Sequence, residues 1–162
     1  MAVPTRVRTP TAGAALVELV VSMPVLIVLL VGTSDFARAF YMSIELTNAA
    51  RAGAQYGAYN QTQSSDTAKM RATATAAAPN ISGMLPPVAS RLCQCADDAG
   101  VFSPLAGGMT CLSPPAVSCP GLHRVMTVTV TTSATFSTIA GNVGIPGSLV
   151  ITRTATLRVA EE

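Results

Sequence analysis

The sequence predicts an α+β fold: one long N-terminal helix packed on a small antiparallel β-sheet. Three observations carry this. Residues Ala14 to Val31 read AALVELVVSMPVLIVLLV, a run with a single charge. At 1.5 Å rise per residue it makes about 27 Å of helix, close to the thickness of a bilayer's hydrocarbon core. Thr33 to Tyr59 contains no proline and carries apolar residues at helical spacing, so the helix is expected to continue. Near the C-terminus, Met126, Val128 and Val130 alternate with Thr127, Thr129 and Thr131, the period of a strand with one face in a core. With 11% charged residues, most of the chain is too apolar for disorder. A net charge of +2 excludes a dense basic surface for nucleic acid, and the absence of tryptophan argues against a stacking platform.

The first thirteen residues read as a short basic leader. Arg6 and Arg8 precede the apolar run with no acid among them, which places the N-terminus on the cytoplasmic side and the rest outside. The run is longer than an ordinary secretory h-region, and Val31-Gly32-Thr33 is a poor exit site for signal cleavage. Pro24 sits mid-run, where a kink is expected. Glu18 sits one turn inside the apolar segment, where an acid costs about 2–3 kcal/mol on insertion scales. A plain anchor has no use for it, although an acid near a membrane edge can snorkel. If the chain is cut between Gly13 and Ala14, Glu18 becomes residue five, a pattern that resembles type IV pilin-like precursors. That resemblance implies a cut by a membrane prepilin peptidase on the cytoplasmic face. It gives Glu18 a role in assembly, as partner of a neighbouring subunit's new N-terminal ammonium. A buried pair of that kind fixes register more than it adds stability.

Residues 33–59 read as an amphipathic continuation of the 14–32 membrane helix. Phe36, Phe40 and Ile44 recur one turn apart, with Thr47 and Arg51 prolonging the line, and Asp35, Arg38 and Glu45 fall on other faces. Ala49, Gly53 and Gly57 form a second, small-residue line. Two helical glycines cost about 1 kcal/mol each, so close approach of another element is expected there.

These features converge on a family. Gly13, Glu18, Pro24, Gly32, the step Asp35-Phe36-Ala37-Arg38 and the run Asn48-Ala49-Ala50-Arg51-Ala52-Gly53-Ala54 make Gly13–Ala58 similar to the TadE-like minor pilins or pseudopilins of tight-adherence (Tad/Flp-type) pilus systems. The chain departs from the pattern at Leu19, where an aromatic is usual, and at Asp35, where glutamate is commoner. The resemblance implies a structural subunit rather than an enzyme, contributing to pilus assembly and surface adhesion. Its implied partners are a prepilin peptidase, other pilins, an inner-membrane assembly platform and the lipid bilayer. Its implied place is the bacterial inner membrane, in a single pass, or the extracellular pilus itself. A permanently anchored extracytoplasmic binding or adhesin module is the alternative.

Residues 60–162 read as an extracytoplasmic head. Asn60–Ser65 is polar and expected to be a loop. Asp66 can cap a helix from Thr67 to about Ala78, ended by Pro79 and expected to bury little. The sequons Asn60-Gln61-Thr62 and Asn80-Ile81-Ser82 read as ordinary turns in a bacterial protein. After Pro86-Pro87, a strand is expected over Val88–Cys95, with Arg91, Cys93 and Cys95 on one face. A Gly/Pro/Ser-rich loop spans Gly100–Gly121, and further strands are expected over Arg124–Phe136 and Leu149–Val159. The last carries Leu149, Ile151, Ala155, Leu157 and Val159 on one face, interrupted by Arg153. Threonines on the opposite faces fit a sheet with one wet side.

Cys93, Cys95, Cys111 and Cys119 could hold zinc or form disulfides. Their spacing is not that of a ribbon or finger, and an even count outside the cytoplasm favours disulfides. Cys93 and Cys95, two apart on a strand and about 6.6 Å from each other, are expected to bond elsewhere rather than together. The preferred arrangement is nested, Cys95–Cys111 inside Cys93–Cys119. No metal or cofactor motif stands out, and neither a nucleophile elbow, a P-loop nor a dinucleotide fingerprint is present. The spaced Gly141, Gly144 and Gly147 read as turn residues, and the single histidine, His123, as a surface side chain.

Overall fold

The computed structural model describes residues 11–97, 99, 102–103, 119, 122–139, 141 and 147–160. Residues 1–10 of the expected leader, Cys111 and nearly all of the expected Gly100–Gly121 loop therefore lie outside the described residues. One helix, α1 (Thr11–Ala58), runs through both the apolar and the amphipathic stretch and passes Pro24 without a break. After it come α2 (Gln61–Ser65), α3 (Thr67–Ala76), β1 (Met84–Ala96), the two-residue β2 (Phe102–Ser103), β3 (His123–Ser137) and β4 (Ser148–Arg158). The strands form one antiparallel sheet in the order β2-β1-β3-β4. The α+β class, with a long helix laid on an antiparallel sheet, is as the sequence predicts.

The core lies between the C-terminal half of α1, α3 and one face of the sheet. Ala54, Met70, Ala74, Cys93, Met126, Val128, Val130 and Val159 pack together there. The alternation in β3 works as expected: Val128 and Val130 are fully buried, while Thr129 and Thr131 face water and share hydroxyl hydrogen bonds with Thr156 and Thr154 of β4, each 3.0 Å. Thr132 is the exception. It falls on the core face, fully buried, and donates to the Leu46 carbonyl of α1 at 2.8 Å. The Ala160 N–H donates to the Ala58 carbonyl at 2.9 Å, so the chain end after β4 satisfies one of the open carbonyls at the end of α1.

The small-residue line on α1 is a close-packing face. A Cβ on Gly53 would stand 2.7 Å from the Met70 carbonyl oxygen and 3.0 Å from the Ala74 Cβ. One on Gly57 would run into the Met70 side chain. The two sites differ in what must give: backbone at Gly53, the flexible end of a methionine at Gly57. Gly53→Ala is therefore expected to lower stability by a net ~1–2 kcal/mol, overpacking outweighing the gain in helix propensity. Gly57→Ala is expected to cost less. Thermal melts of the two variants check the order, and a larger loss for Gly57→Ala would contradict it.

Four expectations need correction. Residues 61–65 form a short helix instead of a loop, because the Asn60 side chain caps it by accepting the Gln63 N–H at 2.8 Å. Asp66 caps α3 as expected, accepting from Lys69 N–H at 2.9 Å, yet α3 buries Met70 and Ala74 completely. Met70 and Ala74, one turn apart, lie against the glycines of α1, while Ala68, Ala72 and Ala76 face outward. β1 starts at Met84, before the two prolines; the register shifts between Leu85 and Val88, and that irregularity accommodates residues that cannot donate to a ladder. The cysteine pairing also differs, as described below.

Candidate functional site

The N-terminal half of α1 stands clear of the head. None of the side chains in its most apolar eighteen-residue window is buried against the rest of the protein, which separates it from the core helix of a soluble domain. The helix is long and apolar enough to cross a membrane. Ala14, Glu18 and Ser22 follow one another at four-residue spacing on one face, flanked by Val17, Val21 and Val25. The Ser22 hydroxyl is satisfied internally, donating to the Glu18 carbonyl at 2.9 Å and reaching the Leu19 carbonyl at 3.1 Å. Glu18 is exposed and has no ion-pair partner among the described residues. Gly13 also has no packing role in the fold: a Cβ there would meet nothing within 4 Å.

Besides the Ala160–Ala58 contact at its end, the C-terminal half of α1 is tied to the head by side-chain hydrogen bonds at successive heights. Lowest is Asp35. The sequence placed it away from the apolar line, and the structure buries it at 8% exposure. Its two carboxylate oxygens accept the Ile139 N–H, just past β3, at 3.0 and 2.9 Å. Arg38 stands 3.3 Å from the same carboxylate, with its guanidinium 5.4 Å from the centre of the Phe136 ring. Higher up, Arg153, the residue that interrupts the apolar face of β4, donates to the Ser43 hydroxyl of α1 at 2.9 Å. Higher still, Thr132 binds the Leu46 carbonyl. The Phe36–Phe40–Ile44 line points the other way. All three are exposed, and the two phenylalanine rings stack with centroids 6.4 Å apart.

At the far end of the head, Cys95 is bonded to Cys119, with their Cα atoms 5.7 Å apart. Cys93 is disulfide-bonded as well. The Cys95–Cys119 bond replaces the expected Cys93–Cys119 pair, and strand register gives the reason. Ala96 lies opposite His123 and Cys95 opposite Arg124, whereas Cys93 lies further along β1, opposite Met126. Cys119 enters just before β3 begins, so it reaches Cys95 first. The nested arrangement does not match the register in which β1 and β3 pair as sheet neighbours.

The described residues hold no cluster of metal-ligating side chains. Residues 13–55 match the family model described as TadE-like protein, in agreement with the resemblance read over Gly13–Ala58. No curated protein matches the chain, and no solved structure does. The matched stretch contains Gly13, Glu18, Asp35 and Gly53, residues with four different settings: an open helical glycine, an exposed acid in an apolar segment, a buried acid holding the head and a glycine at a close contact. Sequence reasoning found three of them. It named Asp35 within the family step but not its burial or its hold on the head, for which the available signal was an acid on the same helix face as Ala49, Gly53 and Gly57.

Proposed function

We propose that this protein is a minor pilin or pseudopilin of a Tad-type pilus, made as a precursor, cut between Gly13 and Ala14 and held in the bacterial inner membrane by α1. The head then lies outside the cytoplasm, and Glu18 keys the mature helix to a neighbouring pilin. One observation carries this reading: α1 is a single helix, half of it seated on a head and half of it bare and apolar with an unpaired acid one turn inside. A helix bare of intramolecular contacts needs lipid or other helices around it, and an acid within it needs a partner that this chain's described residues do not supply. Gly13 fits the reading, since a Cβ there would meet nothing within 4 Å and no packing in the fold obstructs the proposed cut. The TadE-like match supplies the family context. On this reading the chain works with a prepilin peptidase, other pilins and an inner-membrane platform, and contributes to adhesion as part of a pilus rather than through a catalytic site.

Co-expression with an active prepilin peptidase is expected to shorten the protein by its 13 leader residues, and co-expression with an inactive peptidase to leave it full length. An unchanged chain in both would remove the basis for the pilin reading and favour a permanent anchor.

A further inference from the structure

The lower end of the head sits at a defined height above the apolar run. Val31 closes that run, and Asp35 lies four residues beyond it, about 6 Å along an unbroken helix. Because the Asp35 carboxylate holds the Ile139 N–H at 2.9–3.0 Å, the chain leaving β3 is fixed at the same height. Ile139 is 60% exposed there, and Phe36, next to Asp35 on the helix, is 73% exposed. Slightly higher, about 10 Å beyond Val31, Arg38 meets the Phe136 ring, and Leu149, opposite Phe136 in the sheet, is 55% exposed. A bilayer's headgroup layers add roughly 5–8 Å on each side of the hydrocarbon core. Ile139 and Phe36 fall inside that layer, and Leu149 lies just beyond it.

We propose that this end of the head docks on the lipid surface, with Ile139 and Phe36 inserted in the headgroup layer of the bilayer that α1 crosses. The inference rests on the reading of α1 as a membrane span. The occupant is lipid because the helix and its hydrogen-bonded tie to Ile139 leave little choice. A helix that spans at Ala14–Val31 and is tied to Ile139 through Asp35 carries Ile139 to the membrane boundary, where apolar and aromatic side chains are favoured. Asp35 is then the residue that sets the height of the head. Leu92, at the other end of the sheet, does not share this placement. Leu92, 52% exposed, pairs with Thr127, whose other neighbour is Arg158, close to the C-terminal end of α1.

The chain has no tryptophan, so a single introduced indole reports one place. The full chain would be reconstituted in phosphatidylcholine–phosphatidylglycerol vesicles as three variants: Ile139→Trp, Leu92→Trp and Leu26→Trp. A nitroxide on the lipid headgroup is expected to quench Ile139→Trp emission at least twofold and leave Leu92→Trp unchanged. A nitroxide on the acyl chain is expected to quench Leu26→Trp, which reports the span alone. If Leu26→Trp is quenched but Ile139→Trp behaves like Leu92→Trp, the docking is wrong while the span stands. Shielding of Ile139→Trp from aqueous iodide without headgroup quenching would mean that protein covers the site, and would also overturn the proposal. Failure of Leu26→Trp quenching would remove the span, and the docking with it.

Discussion

Replacing Glu18 with leucine is expected to leave the single subunit in the membrane and to abolish its association with neighbouring pilins. The substitution removes an insertion cost of about 2–3 kcal/mol, so anchoring is at least as good. On the pilin reading, leader removal persists, because the proposed cut lies before Ala14. What that reading predicts to be lost is the counter-charge for a neighbour's buried ammonium. Leaving such a charge unpaired costs roughly 3–5 kcal/mol. At about 1.4 kcal/mol per decade, that is two to four decades in the assembly equilibrium. Glu18→Gln is expected to be nearly as damaging, since the charge matters more than the hydrogen bond. Crosslinking or co-purification of both variants with partner pilins reads the effect. Assembly of both at the level of the parent would show that Glu18 is not an assembly key. The structure makes the experiment clean: Glu18 is exposed on bare helix and has no ion-pair partner among the described residues, so little else in the subunit depends on it.

The second large effect is expected at the far end of the head. The Cys95–Cys119 bond closes a sequence separation of 24 residues. Loop-closure entropy for a ring of that size amounts to about 3.5 kcal/mol of stability. Changing both residues to alanine is therefore expected to lower the melting temperature of the detergent-solubilised protein by roughly 10–15 °C. Mutating both partners avoids a stray thiol that could exchange with Cys93. Non-reducing peptide mapping of the parent should recover Cys95 joined to Cys119, and a double variant that melts with the parent would show that the bond contributes little. The strands it pins are already held by the β1–β3 ladder, so the loss should appear as a lower melting point of a folded head rather than as failure to fold.

What was legible in the sequence was whatever depends on local period and composition. The membrane-length run, its continuation to Ala58, the alternation in β3 and the Asp66 cap are all set by neighbours within a few residues. The line Ala49–Gly53–Gly57 could be read because glycine in a helix is costly enough to need a reason, and Met70, Ala74 and Val130 supply it. Tertiary choices were less legible. Phe36, Phe40 and Ile44 form the more apolar line on paper, but the head packs on the smaller residues, where the backbones can come closer. Asp35 lies off the apolar line in the sequence and is buried, because a backbone N–H from beyond β3, more than a hundred residues away in the chain, arrives to meet it. The disulfide pairing failed for a related reason. It depends on which strands become neighbours, and cysteine spacing alone does not contain that.

The mature N-terminus tests the central claim most directly. Mass spectrometry of the protein recovered from its native envelope should find a chain that begins at Ala14, with Glu18 as its fifth residue. A chain that still begins at Met1 or Ala2, or one that begins beyond Val31 with the apolar helix removed, would contradict processing at Gly13 and the pilin reading built on it.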